Sequence, residues 1–213
     1  MIRSITVLSL VLLLLSCGAT QQTTTEIRDD GIITLKFVQL NDVYEIAPLS
    51  GGKYGGMARV AHVVDSIRGI HPNTYLYMAG DFLNPSLLGT IKFEGERIRG
   101  KQMIEVMNAM NFDLVTFGNH EFDLDREDLQ KRLDESNFSW ISSNVKEITE
   151  NDTLGFKLHR GIGQIPIPGA SSREVTDKDG TRVRVSFFSV TLDSNPRDYV
   201  HYEDIFTSAY QTY

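Results

Sequence analysis

The feature that most constrains this chain is a regular alternation of strand-like and helix-like segments that begins at residue 32. Short apolar runs alternate with amphipathic runs at helical spacing, and this pattern predicts strands joined by helices. The predicted strands are IITLKFVQL, TYLYMAG, DLVTFGN and FSWISSNV, and the predicted helices are Met57 to Arg68, GKQMIEVMNAM and DREDLQKRLDES, the last with Asp125 as N-cap. A βαβαβαβ order predicts an α/β fold with helices packed over a parallel sheet.

Beyond Val145 the pattern changes from α/β to β. The segment SREVTDKDGTRVRVSFFSV holds a strand, a turn containing Asp-Gly and a longer strand, which predicts a hairpin. The final segment, YEDIFTSAYQTY, begins as an amphipathic helix with Ile205, Phe206, Ala209 and Tyr210 on one side. Methionines on the inner faces of the first two helices are interpreted as core filling.

Polar side chains follow three of the predicted strands at the points where those strands end. Asp42 follows the first, Asp81 follows the second, and Asn119, His120 and Asp123 follow the third. Loops at the carboxyl ends of neighbouring parallel strands converge on one crevice. Asp42 or Asp81 alone is an ordinary turn residue, but turn chemistry does not explain three consecutive strands that end in such groups.

The chemistry of this set indicates a site for two divalent ions. Carboxylate and amide oxygens suit Mg²⁺, Mn²⁺ or Zn²⁺, and one carboxylate can bridge two ions about 3.5–4 Å apart that activate water and clamp a phosphoryl group. Asp81 is placed to bridge, with Asp42 on the first ion and Asn119 on the second. His120 is expected to stabilise phosphoryl charge or to protonate the leaving alkoxide, and Asp123 to hold its tautomer.

The net charge of −7 argues against an extended surface for a nucleic-acid polymer, which needs clustered Lys and Arg. It does not exclude a small phosphorylated substrate, because a bound metal ion supplies positive charge locally. The length of 213 residues with 41% hydrophobic content suits one domain or most of one.

Residues 1–17 have the pattern of a bacterial lipoprotein signal peptide. Arg3 precedes an apolar run from Ile5 to Leu15, and LLSC resembles a lipobox that ends at Cys17, the single cysteine. We expect lipid attachment at Cys17, a flexible tether over 18–31, and a place in the bacterial cell envelope, facing the periplasm or the cell surface. Simple secretion is the alternative. The mature chain would then contain no disulfide and no Cys-ligated metal.

The segments LNDVYE, AGDFLNPS, LVTFGNHEFD and ISSNV, in this order between residues 33 and 146, resemble the N-terminal half of the 5′-nucleotidase branch of the calcineurin-like metallophosphoesterases. The resemblance implies a four-layer α/β/β/α sandwich, two divalent metal ions (Mn, Zn, Mg or similar), and hydrolysis of nucleotide phosphomonoesters or of 2′,3′-cyclic nucleotides.

Carried onto the matching positions, the resemblance assigns roles to particular residues. Asp42 is implied as a metal ligand, Asp81 as the bridging ligand and Asn119 as a ligand of the second metal. His120 and Asp123 are implied as the catalytic pair. Glu121 is given a supporting role, with hydrogen bonds near the ligands.

Two departures from the family pattern are visible. Tyr44 stands where the usual Asp-x-His motif has its metal-binding histidine, and a neutral phenol is a poorer ligand than imidazole. The family's later His and Gly-His-x-His ligands have no match, and the other histidines are interpreted as surface residues: His62, His71, His159 and His201. We therefore expect residues 32–213 to form an incomplete catalytic domain that is inactive by itself.

A second function class stays open. The same fold could belong to a non-catalytic surface lipoprotein that binds a ligand or partner. Tyr44 favours this alternative, because it removes a metal-binding imidazole. His120 and Asp123 disfavour it, because a binding module has no use for an oriented proton donor.

Overall fold

The structure is a computed structural model that describes residues 29–213. The predicted signal peptide, Cys17 and residues 18–28 of the predicted tether lie outside the described residues. Among the described residues, no helix has the length and apolar character needed to cross a membrane.

Thirteen strands are present in residues 29–213: β1 (Lys36–Leu40), β2 (Thr74–Met78), β3 (Lys92–Phe93), β4 (Glu96–Arg97), β5 (Leu114–Thr116), β6 (Ser139–Ile141), β7 (Val145–Ile148), β8 (Thr153–Leu154), β9 (Lys157–Arg160), β10 (Gly163–Pro166), β11 (Ala170–Thr176), β12 (Arg182–Phe188) and β13 (Val200–Tyr202). The helices of the same range are α1 (Met57–Ile70), α2 (Lys101–Ala109), α3 (Arg126–Glu135) and α4 (Ile205–Thr212), with 3-10 turns at Leu88–Thr90 and His120–Asp123.

The central sheet contains β1, β2, β5 and β6 in the order β1-β2-β5-β6, and all of its pairs are parallel. This confirms the parallel sheet that the βαβ alternation predicts. Because β2 lies between β1 and β5, the three strands that precede the polar loops are direct neighbours.

One face of this sheet packs against the helices. Leu76 and Met78 of β2 are fully buried in one cluster with Met103 and Met107 of α2 and with Leu133 of α3. The alternation of buried and half-buried residues along β2 follows the period of two that a strand imposes. The methionines of α2 therefore fill the core, as expected.

The opposite face of the sheet is covered by the hairpin of β11 and β12. Phe187 of β12 packs edge-on against Tyr77, with ring centroids 5.1 Å apart, and against Phe37 of β1 at 6.2 Å. The hairpin register runs from Ala170 opposite Phe188 to Thr176 opposite Arg182, which confirms the predicted hairpin. Helices, parallel sheet and hairpin stack in α/β/β order, and the predicted α/β fold class is confirmed.

The structure differs from the sequence prediction at the segment FSWISSNV. This segment is not one strand but two, because the chain turns at 142–144. The backbone N–H of Ser142 donates to the carbonyl of Pro168 at 2.9 Å, and the fully buried Asn144 binds the backbone of Thr191. β7 then leaves the parallel sheet and pairs antiparallel with β13 and β8.

The predicted N-cap of α3 is confirmed in position but not in its hydrogen bond, and α4 has a cap that was not predicted. Asp125 stands at the N-cap position of α3, but its side chain makes no capping hydrogen bond. Asp204 caps α4 by accepting a hydrogen bond from the Thr207 N–H at 2.8 Å. Phe206 and Tyr210, expected on the apolar side of that helix, are 80% and 85% exposed. The histidines expected at the surface lie there or are half-buried: His62, His159 and His201 are exposed, and His71 is half-buried.

Candidate active site

The predicted site residues lie in three adjacent loops at the carboxyl edge of the parallel sheet. Asp42 follows β1, Asp81 follows β2 and Asn119 follows β5. The Asp42 N–H donates to the Gly80 carbonyl at 3.3 Å, and the His120 N–H donates to Asp81 Oδ1 at 2.8 Å. The middle loop is therefore hydrogen-bonded to both of its neighbours.

Two glycines allow these loops to touch. A Cβ on Gly80, whose φ is +87°, would lie 2.2 Å from the Gly118 nitrogen. A Cβ on Gly118 would lie 2.2 Å from Asp81 Oδ1. Both contacts are closer than any real Cβ contact, so only glycine fits at either position. The carboxylate of Asp81 thus packs directly against the backbone of Gly118 in the next loop.

Asp42 and Asp81 share an uncommon backbone conformation. Their φ angles are +56° and +61°, in the left-handed region that few residues other than glycine adopt. Asp and Asn tolerate this region better than most side chains. Such conformations persist only where the surrounding structure holds them in place, and they are frequent at functional sites.

Glu121 is fully buried and ties the second loop to the third. Its Oε2 accepts hydrogen bonds from the N–H groups of Asp81 at 2.8 Å and Gly118 at 2.6 Å. Its Oε1 accepts from Phe82 at 2.8 Å and Leu83 at 3.2 Å. Burial raises the pKa of Glu121, and these backbone donors oppose that effect. Glu121 makes four such bonds, and its side chain fixes the position of Asp81.

His120 and Asp123 form a side-chain pair on the 3-10 turn after β5. His120 Nδ1 lies 2.8 Å from Asp123 Oδ2. The hydrogen bond with Asp123 raises the pKa of His120 despite partial burial. Burial opposes ionisation of Asp123, but hydrogen bonds from His120, Asn84 and Asn195 outweigh it and lower the pKa of Asp123. The imidazole is 41% exposed and therefore accessible to a substrate.

Tyr44 lies between the first and third loops. Its hydroxyl donates to Asp42 Oδ1 at 3.2 Å, and its ring lies edge-on to that of His120. Burial and the nearby carboxylates of Asp81 and Asp42 raise the pKa of Tyr44 well above its ordinary value. Tyr44 is therefore a neutral phenol at physiological pH, and it acts here as a hydrogen-bond donor to Asp42.

The donor set fits a hard divalent cation. Within residues 29–213, no three His, Cys, Asp or Glu side chains lie close enough together to hold a metal ion by themselves. Asp42 and Asp81 form no ion pair with a basic side chain of residues 29–213. The ion pairs within this range involve other carboxylates, such as those of Asp113, Asp123 and Asp128. Two carboxylates without a counter-charge and the side-chain amide of Asn119 on the third loop offer the oxygen ligands that Mg²⁺ and Mn²⁺ prefer.

Three residues that contact this site were missed by the sequence analysis. Asn84 Nδ2 donates to Asp123 Oδ2 at 3.1 Å, and Asn195 Nδ2 donates to Asp123 Oδ1 at 2.7 Å. Arg197 donates to the Phe122 carbonyl at 2.6 Å. Asn84 lies inside the AGDFLNPS motif, three residues after Asp81, so its place near the site could have been predicted from the sequence. Asn195 and Arg197 lie in a polar stretch after the hairpin that carries no motif.

A cleft of about 400 Å³ opens beside the site, between the carboxyl edge of the sheet and the end of β12. Asp81 and Asn119 are among its lining residues, which also include Tyr77, Phe187, Thr191 and Leu192. The polar loops therefore border a space that small molecules can enter.

Comparison with known proteins assigns the chain to a family. The family model described as calcineurin-like phosphoesterase matches residues 35–204. The chain is 40% identical to the 5′-nucleotidase of Bos taurus over 93 residues, which are 43% of this chain and 15% of that protein. It is 33% identical to a trifunctional nucleotide phosphoesterase of Bacillus subtilis over 97 residues, 43% of this chain and 7% of the relative.

Solved structures show the same fold. A 5′-nucleotidase precursor from Thermus thermophilus superposes with a TM-score of 0.63 at 24% identity, over 84% of this chain and 34% of that one. A calcineurin-like phosphoesterase from Bacillus subtilis gives 0.61 at 24% identity, over 84% of this chain and 56% of its own. The chain thus spans only part of the relatives that it matches. Because the family model covers most of the chain, from residue 35 to residue 204, the chain belongs to the calcineurin-like phosphoesterase family.

Proposed function

We propose that this chain carries part of the active site of a metal-dependent hydrolase of phosphate esters, and that its substrates are nucleotides. The observation that carries the proposal is the hydrogen-bonded pair of His120 and Asp123. His120 directly follows Asn119 in the chain, and its backbone N–H donates to Asp81 Oδ1. The nucleotide class is supported by the names of its relatives, among them 5′-nucleotidases and an NAD 5′-nucleotidase of Haemophilus influenzae.

In this proposal Asp42, Asp81 and Asn119 hold divalent ions, with Asp81 as the shared ligand. The ions would supply positive charge to the phosphoryl oxygens and lower the pKa of a bound water. Three protein groups give two ions few ligands. We therefore propose that tight binding of both ions needs ligands in addition to these three.

His120 performs the proton chemistry of the proposed reaction. Asp123 accepts a hydrogen bond from His120 Nδ1. This bond keeps a proton on Nδ1, so Nε2 is the nitrogen that faces the substrate. Protonated His120 stabilises charge on the phosphoryl group or gives its Nε2 proton to the leaving alkoxide. The raised pKa of His120 keeps this donor protonated closer to neutral pH.

The test is hydrolysis by the complete natural protein that contains this chain. AMP, 2′,3′-cyclic AMP and p-nitrophenyl phosphate are offered after EDTA treatment, with and without added Mn²⁺, Zn²⁺ or Mg²⁺. We expect turnover that EDTA abolishes and a divalent ion restores. Binding of AMP without turnover under every metal condition would instead favour the non-catalytic surface lipoprotein.

We also propose that the protein is lipid-anchored in the bacterial cell envelope through Cys17, which lies outside the described residues. The support is the sequence pattern of residues 1–17. Cys17→Ser should leave the signal peptide uncleaved and abolish labelling by a radioactive fatty acid. Normal processing and membrane partitioning of that variant would contradict the lipid anchor.

A further inference from the structure

The segment from Ser189 to Tyr199, here called the strap loop, lies across the turn that carries His120 and Asp123. Thr191 Oγ1 donates to the Phe117 carbonyl at 2.7 Å, just before that turn. The hydroxyl of Tyr199 donates to the Leu124 carbonyl at 2.7 Å, just after it. The strap loop therefore holds both ends of the turn, although more than 70 residues separate the two segments in the chain.

The strap loop is itself firmly supported. Thr191 and Tyr199 are buried, and the fully buried Asn144 accepts from the Thr191 N–H at 2.8 Å. The Ser189 hydroxyl donates to the Ile141 carbonyl at 2.9 Å, and the Tyr202 hydroxyl donates to the Asn195 carbonyl at 3.1 Å. A side chain on this loop can therefore hold another group in a fixed place.

Asn195 is the residue of the strap loop that reaches two functional groups at once. Its Nδ2 donates to the backbone carbonyl of Asn119 at 2.9 Å and to Asp123 Oδ1 at 2.7 Å. One amide thus links the backbone of the proposed ligand of the second metal to the carboxylate that holds His120. An asparagine is suited to this position, because its amide nitrogen carries two donor hydrogens.

Asn195 completes the set of donors around Asp123. Asp123 Oδ2 accepts hydrogen bonds from His120 at 2.8 Å and Asn84 at 3.1 Å. Asp123 Oδ1 accepts a hydrogen bond from Asn195 at 2.7 Å and lies 3.5 Å from Arg197 in an ion pair. Donors on both oxygens fix the rotation of the carboxylate. Without the amide, the longer Arg197 contact is the one that Oδ1 keeps among the described residues, and the plane of Asp123 can turn away from the imidazole.

We infer that Asn195 is a positioning residue of this site, which acts on His120 through Asp123. The inference rests on the proposed function of His120. Neither hydrogen bond of its amide places Asn195 on the reacting atoms, so its effect appears in the orientation of other groups.

The kinetic test compares Asn195→Ala, Asn195→Asp and Asn195→Gln in the complete natural protein, with the exposed Asn151→Ala as a matched control. We expect Asn195→Ala and Asn195→Asp to lower kcat about 10–100-fold, as losses of such outer partners do, with KM and metal content near the wild-type values. Asn195→Asp keeps the shape but cannot donate. Asn195→Gln keeps the amide and should recover part of the rate.

A second readout is independent of hydrolysis. In the complete natural protein labelled with ¹⁵N-histidine, the imidazole signal that disappears in His120→Asn is the signal of His120. At alkaline pH we expect the neutral ring of the wild type to carry its proton on Nδ1 alone. Both Asn195→Ala and Asn195→Asp should give a mixture of the two tautomers.

The outcomes separate the inference from the proposed function. If the wild type hydrolyses no phosphate ester, the proposed function fails, but the tautomer measurement still tests Asn195. An unchanged tautomer together with an unchanged kcat in Asn195→Asp would overturn the inference. The inference also fails if Asn195→Ala is impaired and Asn195→Asp is not, because packing alone would then explain the loss. If Asn195→Ala does not fold, Asn195→Asp and Asn195→Gln carry the test.

Discussion

The imidazole of His120 lies edge-on to the ring of Tyr44, with the ring centroids 6.2 Å apart at an interplanar angle of 89°. Each ring is hydrogen-bonded to a different carboxylate: Tyr44 to Asp42 and His120 to Asp123. The tyrosine that replaces the family's usual histidine therefore packs the first loop against the third and orients Asp42. It offers no nitrogen atom, so the metal ligands proposed for Asp42, Asp81 and Asn119 are all oxygens.

The first prediction concerns the His120–Asp123 pair. His120→Asn should lower kcat about 10²–10⁴-fold, because the proton donor is lost while the backbone bond to Asp81 can persist. Asp123→Asn should give a smaller loss, since the imidazole remains but loses its anionic acceptor. Steady-state kinetics with elemental metal analysis checks both variants. Metal lost in parallel with activity would mean that His120 is itself a ligand.

The second prediction concerns the shared ligand. Asp81→Ala should remove both metal ions and all hydrolysis, because the central carboxylate serves both sites in the proposed arrangement. The φ of +61° at this position disfavours alanine, so Asp81→Gly is the matched variant that removes the carboxylate without backbone strain. Both should be metal-free by elemental analysis. Full occupancy of two ions in Asp81→Gly would end the assignment of Asp81 as a bridge.

The third prediction concerns the buried carboxylate that joins two loops. Glu121→Gln should destabilise the fold by at least about 2 kcal/mol, because the amide NH₂ of glutamine would face backbone N–H groups that need an acceptor. The exposed Glu150→Gln is the control and should change little. Urea unfolding measures both. Equal stabilities would show that the backbone donors find other partners.

The order of elements could be predicted because local signals agreed with the fold. The apolar faces of α1 and α2 and the buried run of β2 each have the period of the element that they form, and Asp81 and Asn119 follow directly from strand ends. The alternation also implied that β1, β2 and β5 are neighbours, as the sheet order confirms.

The rest depends on contacts between residues far apart in the chain. Asn195 meets Asp123 across 72 residues, in a loop without periodicity or motif. The break between β6 and β7 depends on Pro168 and Thr191, which the local sequence does not reveal. The exposed Phe206 on α4 shows that an apolar stripe predicts a helix better than it predicts what the helix contacts.

The last prediction concerns the glycine under Asp81. Gly118→Ala would place its Cβ 2.2 Å from Asp81 Oδ1 and 2.7 Å from the Asp81 nitrogen. The two loops must separate to relieve these contacts, at a cost of about 1–3 kcal/mol, as for other overpacked sites. We therefore expect a lower free energy of unfolding together with weaker Mn²⁺ binding.

Gly69→Ala is the matched control, because Gly69 lies in α1 with open space around its Cα. There alanine should raise the free energy of unfolding by about 0.5–1 kcal/mol, through its better helix propensity, and leave metal affinity unchanged. Urea unfolding and calorimetric Mn²⁺ titration of both variants supply the comparison. If Gly118→Ala bound Mn²⁺ as tightly as Gly69→Ala, the close approach of the two loops would have no part in placing Asp81 for the metal.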